Sequence, residues 1–440
     1  MASRNPQRIM MLSTHGYVAA QPELGKPDTG GQVVYVLELS KCLARLGFQV
    51  DIYTRQFEGQ PAQEPVAPRV NLVRIACGGH DFIPKETLYE AIPEWVTNAR
   101  SHIRQQRLRY QFINSHYWDA GLAGQALANQ LSIPHLHTPH SIGSWKRDNM
   151  NGPREEAERR WNLARRIREE KVVYDECDGL IATTTQQREI LQGGDYDVPR
   201  GKIQVVTPGY DDLRFYPVSI ATRQTLKREL GLEGRIILAL GRLARNKGYD
   251  LLIRSMCPVF ARIPDARLLL AIGSTQLNAD EQQQLAALQA LACELGIADR
   301  ILFRDYIPDE SLADYYRAAD VFALSSRYEP FGMTAIEAMA CGTPTVITTE
   351  GGLWEQVNWG LEAMYANPND TEAFGHEVCK LLQYPLVYDQ LAKHGSQKAR
   401  ARFTWNGVSQ QILGACESLQ RSSVVPPIPS TVMPAQGAIA

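Results

Sequence analysis

Residues 235–272, RIILALGRLARNKGYDLLIRSMCPVFARIPDARLLLAI, decide the fold class of this protein. The apolar run Ile236–Leu240 predicts a buried strand, apolar residues at helical spacing predict a helix from about Tyr249 to Ala261, and Leu268–Ile272 predicts a second strand. The turn between the first strand and the helix, Gly241–Gly248, is rich in glycine and basic residues. A strand–helix–strand unit with continuous apolar strands is typical of a parallel sheet covered by helices.

A second unit of this kind lies near the start of the chain. Arg8–Ser13 predicts a buried strand that runs into a long loop ending in Gly30-Gly31-Gln32. Apolar residues then recur at helical spacing as far as Leu46, and Phe48–Thr54 predicts the next strand. Strand–helix alternation continues after both units, so the sequence predicts an α/β protein with two parallel-sheet domains.

The domain boundaries follow from breaks in this pattern. A Pro-Gly break within Thr207–Asp211 separates the two units, so we place the first domain at residues 1–209 and the second at 210–395. Residues 396–420 predict one or two C-terminal helices, which we expect to pack back toward the first domain. Residues 421–440 are rich in proline, serine and alanine without periodicity, and we expect this tail to be disordered.

The composition argues against several classes of protein. Of 440 residues, 46 are Lys or Arg and 48 are Asp or Glu, and this near-neutral balance is not that of a general binder of nucleic acid or anionic membranes. No apolar run approaches the ~20 residues that cross a bilayer, and the N-terminus lacks a signal-peptide core, so we expect a cytoplasmic protein without a membrane partner. The eight cysteines are scattered, which predicts reduced thiols and no zinc module.

Two turns carry residues suited to phosphate. Gly30-Gly31-Gln32 opens a predicted helix, where free backbone N–H groups and the helix dipole attract negative charge. The alternative is a tight turn that needs glycine for its dihedral angles. In the second turn, Arg242 and Lys247 follow a strand and would project from the carboxyl edge of the sheet, where open α/β sheets bind ligands. The alternative there is an exposed basic surface turn.

Two further segments carry polar groups after predicted strands. In Glu329–Glu337, EPFGMTAIE, two carboxylates are separated by seven residues, and carboxylates accept hydrogen bonds from sugar and ribose hydroxyls. His140 lies in LHTPHS, in a loop after a short apolar strand. Taken alone, an acidic pair means little, and a lone histidine is more often a structural residue bonded to the backbone.

These four elements, in this order and at these distances, resemble the retaining GT-B glycosyltransferases of family 4. The resemblance spans residues 8–415. Within that family, this chain most resembles the sucrose-phosphate synthase branch. Five segments carry that resemblance: Thr29–Val33, Phe82–Glu86, Asn114–Gly121, His137–Ser141 and Arg165–Ile167. Leu12–Tyr17 and Ser325–Met339 are most similar to members that move mannose from GDP-mannose to fructose 6-phosphate.

The resemblance implies a fold and a reaction. The fold is GT-B, with two Rossmann-like, doubly wound parallel-sheet domains that face each other across a cleft. The reaction is a retaining hexosyl transfer from GDP-mannose to fructose 6-phosphate, which gives mannosylfructose phosphate and GDP. The alternative is a sucrose-phosphate synthase that uses UDP-glucose or ADP-glucose with the same acceptor. No cofactor is expected, and Mg²⁺ would at most stimulate. A phosphatase that consumes the product is a candidate partner.

The resemblance also implies roles for individual residues. The catalytic set is His140, Arg242, Lys247 and Glu329. The donor-binding set is Gly31, Gln32, Arg242, Lys247, Glu329, Phe331, Gly332, Met333, Thr334 and Glu337. The acceptor-binding set is Gln32, Lys85, Tyr117, Asp119, Lys146 and Arg166, with Arg165 or Arg168 as substitutes for the last. No metal ligand is expected: Asp195-Tyr196-Asp197 has the spacing of a metal motif, but it lies in a glycine-rich loop that we interpret as a turn.

Three other classes fit less well. The glycine fingerprint of dinucleotide-binding dehydrogenases is not matched. A two-domain sugar-binding protein predicts an export signal and leaves the Arg242, Lys247 and Glu329 set without a role. An inactive homologue that serves as a scaffold is disfavoured, because no motif position is visibly damaged.

Overall fold

The computed structural model describes residues 7–15, 18–21, 30–57, 59–149, 154–273 and 277–422. The predicted disordered tail, 421–440, lies outside these residues except for its first two positions, which end the last helix. The strands are β1 (Arg8–Leu12), β2 (Gln49–Arg55), β3 (Gln63–Ala67), β4 (Val70–Ile75), β5 (Ile113–His116), β6 (His135–Thr138), β7 (Gly179–Ala182), β8 (Ile203–Val205), β9 (Arg235–Gly241), β10 (Ala266–Ile272), β11 (Ile301–Arg304), β12 (Val321–Leu324), β13 (Thr345–Thr348) and β14 (Met364–Ala366).

The helices in the same residues are α1 (Gly31–Arg45), α2 (Ile92–Gln105), α3 (Trp118–Leu131), α4 (Gly143–Asn149), α5 (Arg154–Trp161), α6 (Leu163–Glu176), α7 (Thr185–Gln192), α8 (Ile220–Glu229), α9 (Tyr249–Arg262), α10 (Ala279–Glu294), α11 (Asp309–Ala318), α12 (Met333–Ala340), α13 (Thr371–Gln383), α14 (Pro385–Arg402) and α15 (Trp405–Ser422). Short 3₁₀ turns cover Leu88–Ala91, Arg200–Lys202, Arg245–Lys247, Ala298–Arg300 and Trp354–Gln356.

The strands form two sheets. The first has the order β3-β4-β2-β1-β5-β6-β7-β8 and is parallel except for β3, which pairs antiparallel with β4. The second has the order β11-β10-β9-β12-β13-β14 and is parallel throughout. In each sheet the order reverses beside the first strand, at β1 and at β9, and ligands of open α/β sheets bind outside the carboxyl ends of the strands at such a point. The expected pair of doubly wound domains is confirmed.

The apolar patterns explain why these elements form. Met10, Met11 and Leu12 of β1 are fully buried, as expected for a central strand with helices on both faces. On α1, Val33, Val36 and Leu43 are buried at helical spacing and pack on the sheet. The strands therefore hold the loops at their carboxyl ends on a rigid base.

The C-terminal helices divide between the two domains, which differs from the predicted boundary at residue 395. That position lies inside α14, which packs against α12 of the second domain. Ala399 and Phe403, beyond the predicted boundary, belong to the apolar core of that domain, so the apolar face of the helix continues past it. Helix α15 packs against α1, and its Trp405 and Ile412 join the core of the first domain.

Two stretches of chain that connect the domains lie side by side. The N–H of Tyr210 donates to the carbonyl of Phe403 at 2.8 Å, and an isolated bridge pairs Tyr210 with Thr404. Gly209 lies so close to Trp405 that a side chain at 209 would approach the indole within 2.7 Å. Both connections therefore meet at one place. None of the described helices is long and apolar enough to cross a membrane.

Candidate active site

The first turn of each domain faces the other domain. Gly30 and Gly31, at the start of α1, lie opposite the turn after β9 and the start of α12. A Cβ atom at Gly30 would lie 3.7 Å from Nε of Arg242, and one at Gly31 would lie 3.7 Å from Sδ of Met333. The carboxyl edges of the two sheets therefore meet across a narrow gap, with the amino end of α1 on one side and the Arg242 guanidinium on the other.

Lys247 and Glu329 form an ion pair at the edge of the second sheet. Lys247 Nζ donates to Oε2 of Glu329 at 2.6 Å, and Ser326 Oγ donates to the same oxygen at 3.0 Å. The two side chains are 20% and 12% exposed, respectively. Gly248, with φ +64°, brings the Lys247 turn so close to the carbonyl of Ser325 that any side chain at 248 would overlap it. The sequence thus holds a cation and a carboxylate together beside the gap.

The predicted donor segment forms the start of α12. Gly332, with φ +106°, caps the helix, and Met333 and Thr334 are its first two residues, both half-buried. The side chain of Phe331 is buried in the core against the ring of Phe403, at 5.8 Å between centroids. This segment can therefore present backbone N–H groups and Thr334 to a ligand, but it cannot present the side chain of Phe331.

Glu337 lies one turn into α12 with an unusual proton affinity. Its Oε2 accepts a hydrogen bond from the hydroxyl of Tyr316 at 2.8 Å. Burial raises the pKa of Glu337 to about 7, while the Tyr316 hydrogen bond and the charge of Arg214 oppose the rise. A carboxylate poised in this way gains from any further hydroxyl donor, as the ribose of a nucleotide would provide.

His140 lies two residues after β6 in a left-handed conformation, with φ +60°. Its Nε2 lies 2.9 Å from Nδ1 of His116, and its carbonyl accepts from Nε2 of Gln187 at 3.2 Å. The Tyr35 ring contacts it edge-on at 4.8 Å. Burial lowers the pKa of His140 to about 3, so the imidazole is neutral near pH 7 and acts as a hydrogen-bonding dipole.

Gln32 lies between α1 and the ends of the neighbouring strands. Its Nε2 donates to Oγ of Ser13 at 3.2 Å and to the carbonyl of His116 at 3.3 Å. The side chain is therefore fixed at the centre of the first-domain edge, next to the His116–His140 pair.

Arg166 does not have the environment predicted for a ligand of the acceptor phosphate. Its side chain is only 3% exposed, and its Nε donates to Glu170 at 2.7 Å. Nη1 donates to the Tyr117 hydroxyl at 2.8 Å, and Nη2 donates to the carbonyl of Ser141 at 2.6 Å. Glu170 also accepts from the N–H of Gly143 and from Tyr196. Arg166 therefore holds Tyr117 and Ser141 in place from inside the domain, and its role as a ligand of the acceptor phosphate stays a prediction.

Asp119 also differs from its predicted role as a direct contact to acceptor hydroxyls. It is fully buried, and its carboxylate accepts from Oγ1 of Thr14 at 2.5 Å and pairs with Nδ1 of His15 at 2.9 Å. The His15 ring packs on Tyr117, with 4.5 Å between centroids. Asp119 orients His15, while Tyr117, at φ +76°, uses its hydroxyl to accept from Arg166.

Three further cations of the first domain were expected on the acceptor side by resemblance, and each has a neighbour within its own domain. Nζ of Lys85 lies 3.8 Å from Oε1 of Glu86, and the ammonium of Lys146 lies 4.9 Å from the centroid of the Trp161 ring. Arg165 stacks over Tyr89 at 4.0 Å and pairs with Glu169 at 3.3 Å. The side chain of Arg165 is 42% exposed, whereas that of Arg166 is buried. Arg165 is therefore the better candidate to bind an anionic group.

Several contributors to the site escaped the sequence argument. His15 follows β1 just as His140 follows β6, so its position after a strand is a signal that could have found it. His116 ends β5 inside a segment already singled out by resemblance. Tyr328 likewise lies inside the segment Ser325–Met339 singled out by resemblance. Gln187 carries no such signal, because only the folded chain brings it to the carbonyl of His140.

The comparisons with known proteins agree with this geometry. The family described as glycosyl transferases group 1 matches residues 222–402, and Glycosyltransferase Family 4 matches residues 29–214. The mannosylfructose-phosphate synthase of Agrobacterium fabrum is 51% identical over 414 residues, which is 93% of this chain and 91% of that protein. This chain belongs to glycosyltransferase family 4.

Two further similar proteins match this chain along almost its whole length. The sucrose-phosphate synthase of Thermosynechococcus elongatus superimposes with a TM-score of 0.83 at 30% identity, over 94% of this chain and all of that one. The D-inositol 3-phosphate glycosyltransferase of Corynebacterium jeikeium is 33% identical over 94% of this chain and 97% of its own. The fold of this glycosyltransferase is thus GT-B, and the resemblance inferred from the motifs is confirmed.

The described residues of this glycosyltransferase contain no cluster of three or more His, Cys, Asp or Glu that could hold a metal ion. Asp195, in the segment with metal-motif spacing, pairs with Arg147 at 2.9 Å, and Asp197 has φ +53°. That segment is therefore a surface turn with an arginine partner.

Proposed function

We propose that this glycosyltransferase transfers mannose from GDP-mannose to fructose 6-phosphate with retention of configuration, giving mannosylfructose phosphate and GDP. The observation that carries the reaction type is the Lys247–Glu329 pair, which lies with Arg242 opposite the amino end of α1. The choice of substrates rests on the 51% identity with the mannosylfructose-phosphate synthase, which spans both domains.

The donor diphosphate would lie between Arg242, Lys247 and the amino ends of α1 and α12. As the bond between the sugar C1 and the β-phosphate oxygen breaks, negative charge develops on that phosphate. Fixed cations and N–H groups in a closed cleft stabilise such charge without reorganisation. Glu329 would accept from hydroxyls of the transferred sugar, and Glu337 from hydroxyls of the ribose.

The acceptor hydroxyl would attack C1 on the face that the diphosphate leaves. The new C1–O bond forms as the C1–phosphate bond breaks, and the hydroxyl proton moves to an oxygen of the departing β-phosphate. His140 contributes as a neutral dipole beside the reacting carbon. Its carbonyl and its imidazole are both held in place, by Gln187 and His116 respectively.

The phosphate of the acceptor would bind on the first domain. Lys85, Lys146 and Arg165 supply positive charge there, and Arg165 takes the place first assigned to Arg166, because the guanidinium of Arg166 is engaged on three sides. Gln32 would contact the acceptor at the first-domain edge. We propose that no metal is needed, since Arg242 and Lys247 provide the positive charge, and that Mg²⁺ at most stimulates.

A second candidate is sucrose-phosphate synthesis from UDP-glucose or ADP-glucose. It is favoured by the TM-score of 0.83 and the 30% identity with the sucrose-phosphate synthase of Thermosynechococcus elongatus. Both reactions use the same diphosphate and acceptor sites and differ in the base and the sugar. For either reaction we propose a cytoplasmic location and a phosphatase that consumes the phosphorylated product.

A donor panel tests the proposal. The protein is incubated with fructose 6-phosphate and, separately, with GDP-mannose, GDP-glucose, UDP-glucose or ADP-glucose, with and without EDTA, and the released nucleoside diphosphate is measured. Fructose without phosphate is the matched acceptor control. We expect release only with GDP-mannose and fructose 6-phosphate, unchanged by EDTA. Release with UDP-glucose or ADP-glucose alone would favour the second candidate, and no release with any donor would contradict both.

A further inference from the structure

Tyr328 connects the two domains directly. It precedes Glu329 in the loop after β12, and its ring packs edge-to-face on Trp145 of α4, with 4.6 Å between centroids and an interplanar angle of 71°. Its hydroxyl lies 3.4 Å from that of Ser141, and burial raises the pKa of Tyr328 to about 12, so the phenol stays protonated. Edge-to-face rings at this distance attract each other beyond the effect of burial.

On the second domain, Tyr328 is tied to the turn that carries Lys247. The side-chain amide of Asn246 donates to the carbonyl of Tyr328 at 3.1 Å, and the N–H of Arg327 donates to the carbonyl of Asn246 at 2.8 Å. The next residues of these two segments are Lys247 and Glu329, the ion pair of the donor site. A displacement of Tyr328 therefore displaces both members of that pair.

On the first domain, the partners of Tyr328 lie next to the acceptor side. Trp145 immediately precedes Lys146 on α4. The carbonyl of Ser141 accepts from Arg166, so the loop that contacts the phenol is braced from inside the domain. A sugar phosphate held by Lys146 would therefore fix the ring against which Tyr328 packs, and the diphosphate held by Lys247 would fix Tyr328 itself.

We propose that Tyr328 is a positioning residue that couples acceptor binding to donor binding. The proposal rests on the proposed function, because it takes fructose 6-phosphate as the acceptor. Each ligand favours the same contact between Tyr328 and Trp145, so each raises the affinity for the other, and this coupling is reciprocal. An aromatic pair of this geometry corresponds to a coupling of about 2- to 12-fold in affinity.

Isothermal titration measures the coupling as a ratio: the Kd of fructose 6-phosphate without GDP divided by its Kd with saturating GDP. For the unaltered protein we expect a ratio of about 2 to 12. Tyr328→Leu removes the ring contact and should bring the ratio to about 1, and Tyr328→Phe, which loses only the hydroxyl, should fall between. Tyr365→Leu is the matched control, because Tyr365 packs on Trp354 within the second domain at 5.6 Å, and it should keep the full ratio.

The outcomes separate the coupling from the acceptor assignment. An unchanged ratio in Tyr328→Leu, even with a lowered melting temperature, would overturn the coupling, because a merely structural residue changes stability but not the ratio. If the leucine variant does not fold, Trp145→Leu removes the same ring contact from the first domain, and an unchanged ratio in that variant would overturn the coupling. Equal Kd values with and without GDP in the unaltered protein would overturn the coupling alone. No binding of fructose 6-phosphate in either condition would overturn the acceptor of the proposed function together with it.

Discussion

Replacing Lys247 with methionine removes one cation from the proposed diphosphate site and keeps a side chain of similar length. Lys247 Nζ lies 2.6 Å from Glu329 and is 20% exposed, so its charge acts in a partly desolvated setting. Loss of one preorganised group that stabilises charge in a transition state costs about 2.7–4 kcal/mol, which corresponds to a kcat lowered about 10²- to 10³-fold. We expect a change of that size with both substrates at saturation.

The stability of the variant should change much less than its activity. Glu329 retains the hydrogen bond from Ser326, and both partners of the ion pair keep some contact with water. The free energy of unfolding should therefore fall by only on the order of 1 kcal/mol. Circular dichroism and a thermal melt check that the variant is folded before its rate of GDP release is compared.

Lys380→Met is the matched control for this experiment. Lys380 pairs with Glu377 at 2.8 Å on α13, away from the facing edges of the sheets, so its loss removes a similar ion pair without touching the site. The control should retain the kcat of the unaltered protein. A folded Lys247→Met protein with kcat within tenfold of the unaltered protein would refute the assignment of Lys247 to the leaving group.

Three further predictions concern pH and the acceptor. Burial lowers the pKa of His135 to about 3 and holds the pKa values of His116 and His137 well below their ordinary value, so these residues are neutral in the folded protein. Because the unfolded chain binds protons that the folded chain does not, the free energy of unfolding in urea should decrease as the pH is lowered from about 6.5. His135 alone should account for a decrease of about 2 kcal/mol at pH 5. Because burial raises the pKa of Glu337 to about 7 and ribose hydroxyls favour its ionised form, GDP should bind about tenfold more weakly at pH 6 than at pH 8. Asp119→Asn should raise the KM for fructose 6-phosphate more than it lowers kcat, because Asp119 acts through a neighbouring histidine.

Each of these predictions has its own control. Equal unfolding free energies at pH 7 and pH 5 would contradict the buried neutral histidines. Glu337→Gln should retain only the pH dependence that comes from the phosphates of GDP, and a pH profile identical to that of the unaltered protein would contradict the role of Glu337. An unchanged KM in Asp119→Asn would show that the His15–Asp119 pair lies outside the acceptor site.

The positions of the loops were predictable because the chain follows simple rules. Apolar strands such as Ile236–Leu240 and helices that begin after glycine turns fix where each carboxyl edge lies, and parallel strands bring those edges together. The sequence therefore predicts that the turns at Gly30 and Arg242 and the segment from Glu329 lie at sheet edges. The short distance across the gap, 3.7 Å from a Cβ atom placed on Gly30 to Nε of Arg242, is in accord with that placement.

The environments of individual side chains could not be predicted in the same way. Arg166 and Asp119 carry the residue types expected of acceptor ligands, but Glu170 and His15 engage them inside the fold. Those partners depend on how helices and strands distant in sequence pack, which periodicity does not encode. The boundary at 395 failed for a related reason, because α14 continues without a break signal across that position.

Determining the product by NMR tests the central claim most directly. The protein is incubated with GDP-mannose labelled with ¹³C at C1 and with fructose 6-phosphate, and the anomeric carbon and the phosphorus signals are followed together. We predict one new mannosyl signal with the anomeric configuration of the donor, bonded to fructose 6-phosphate, with one GDP formed for each. An inverted anomeric centre, or GDP accompanied only by free mannose, would contradict the retaining transfer proposed for this site.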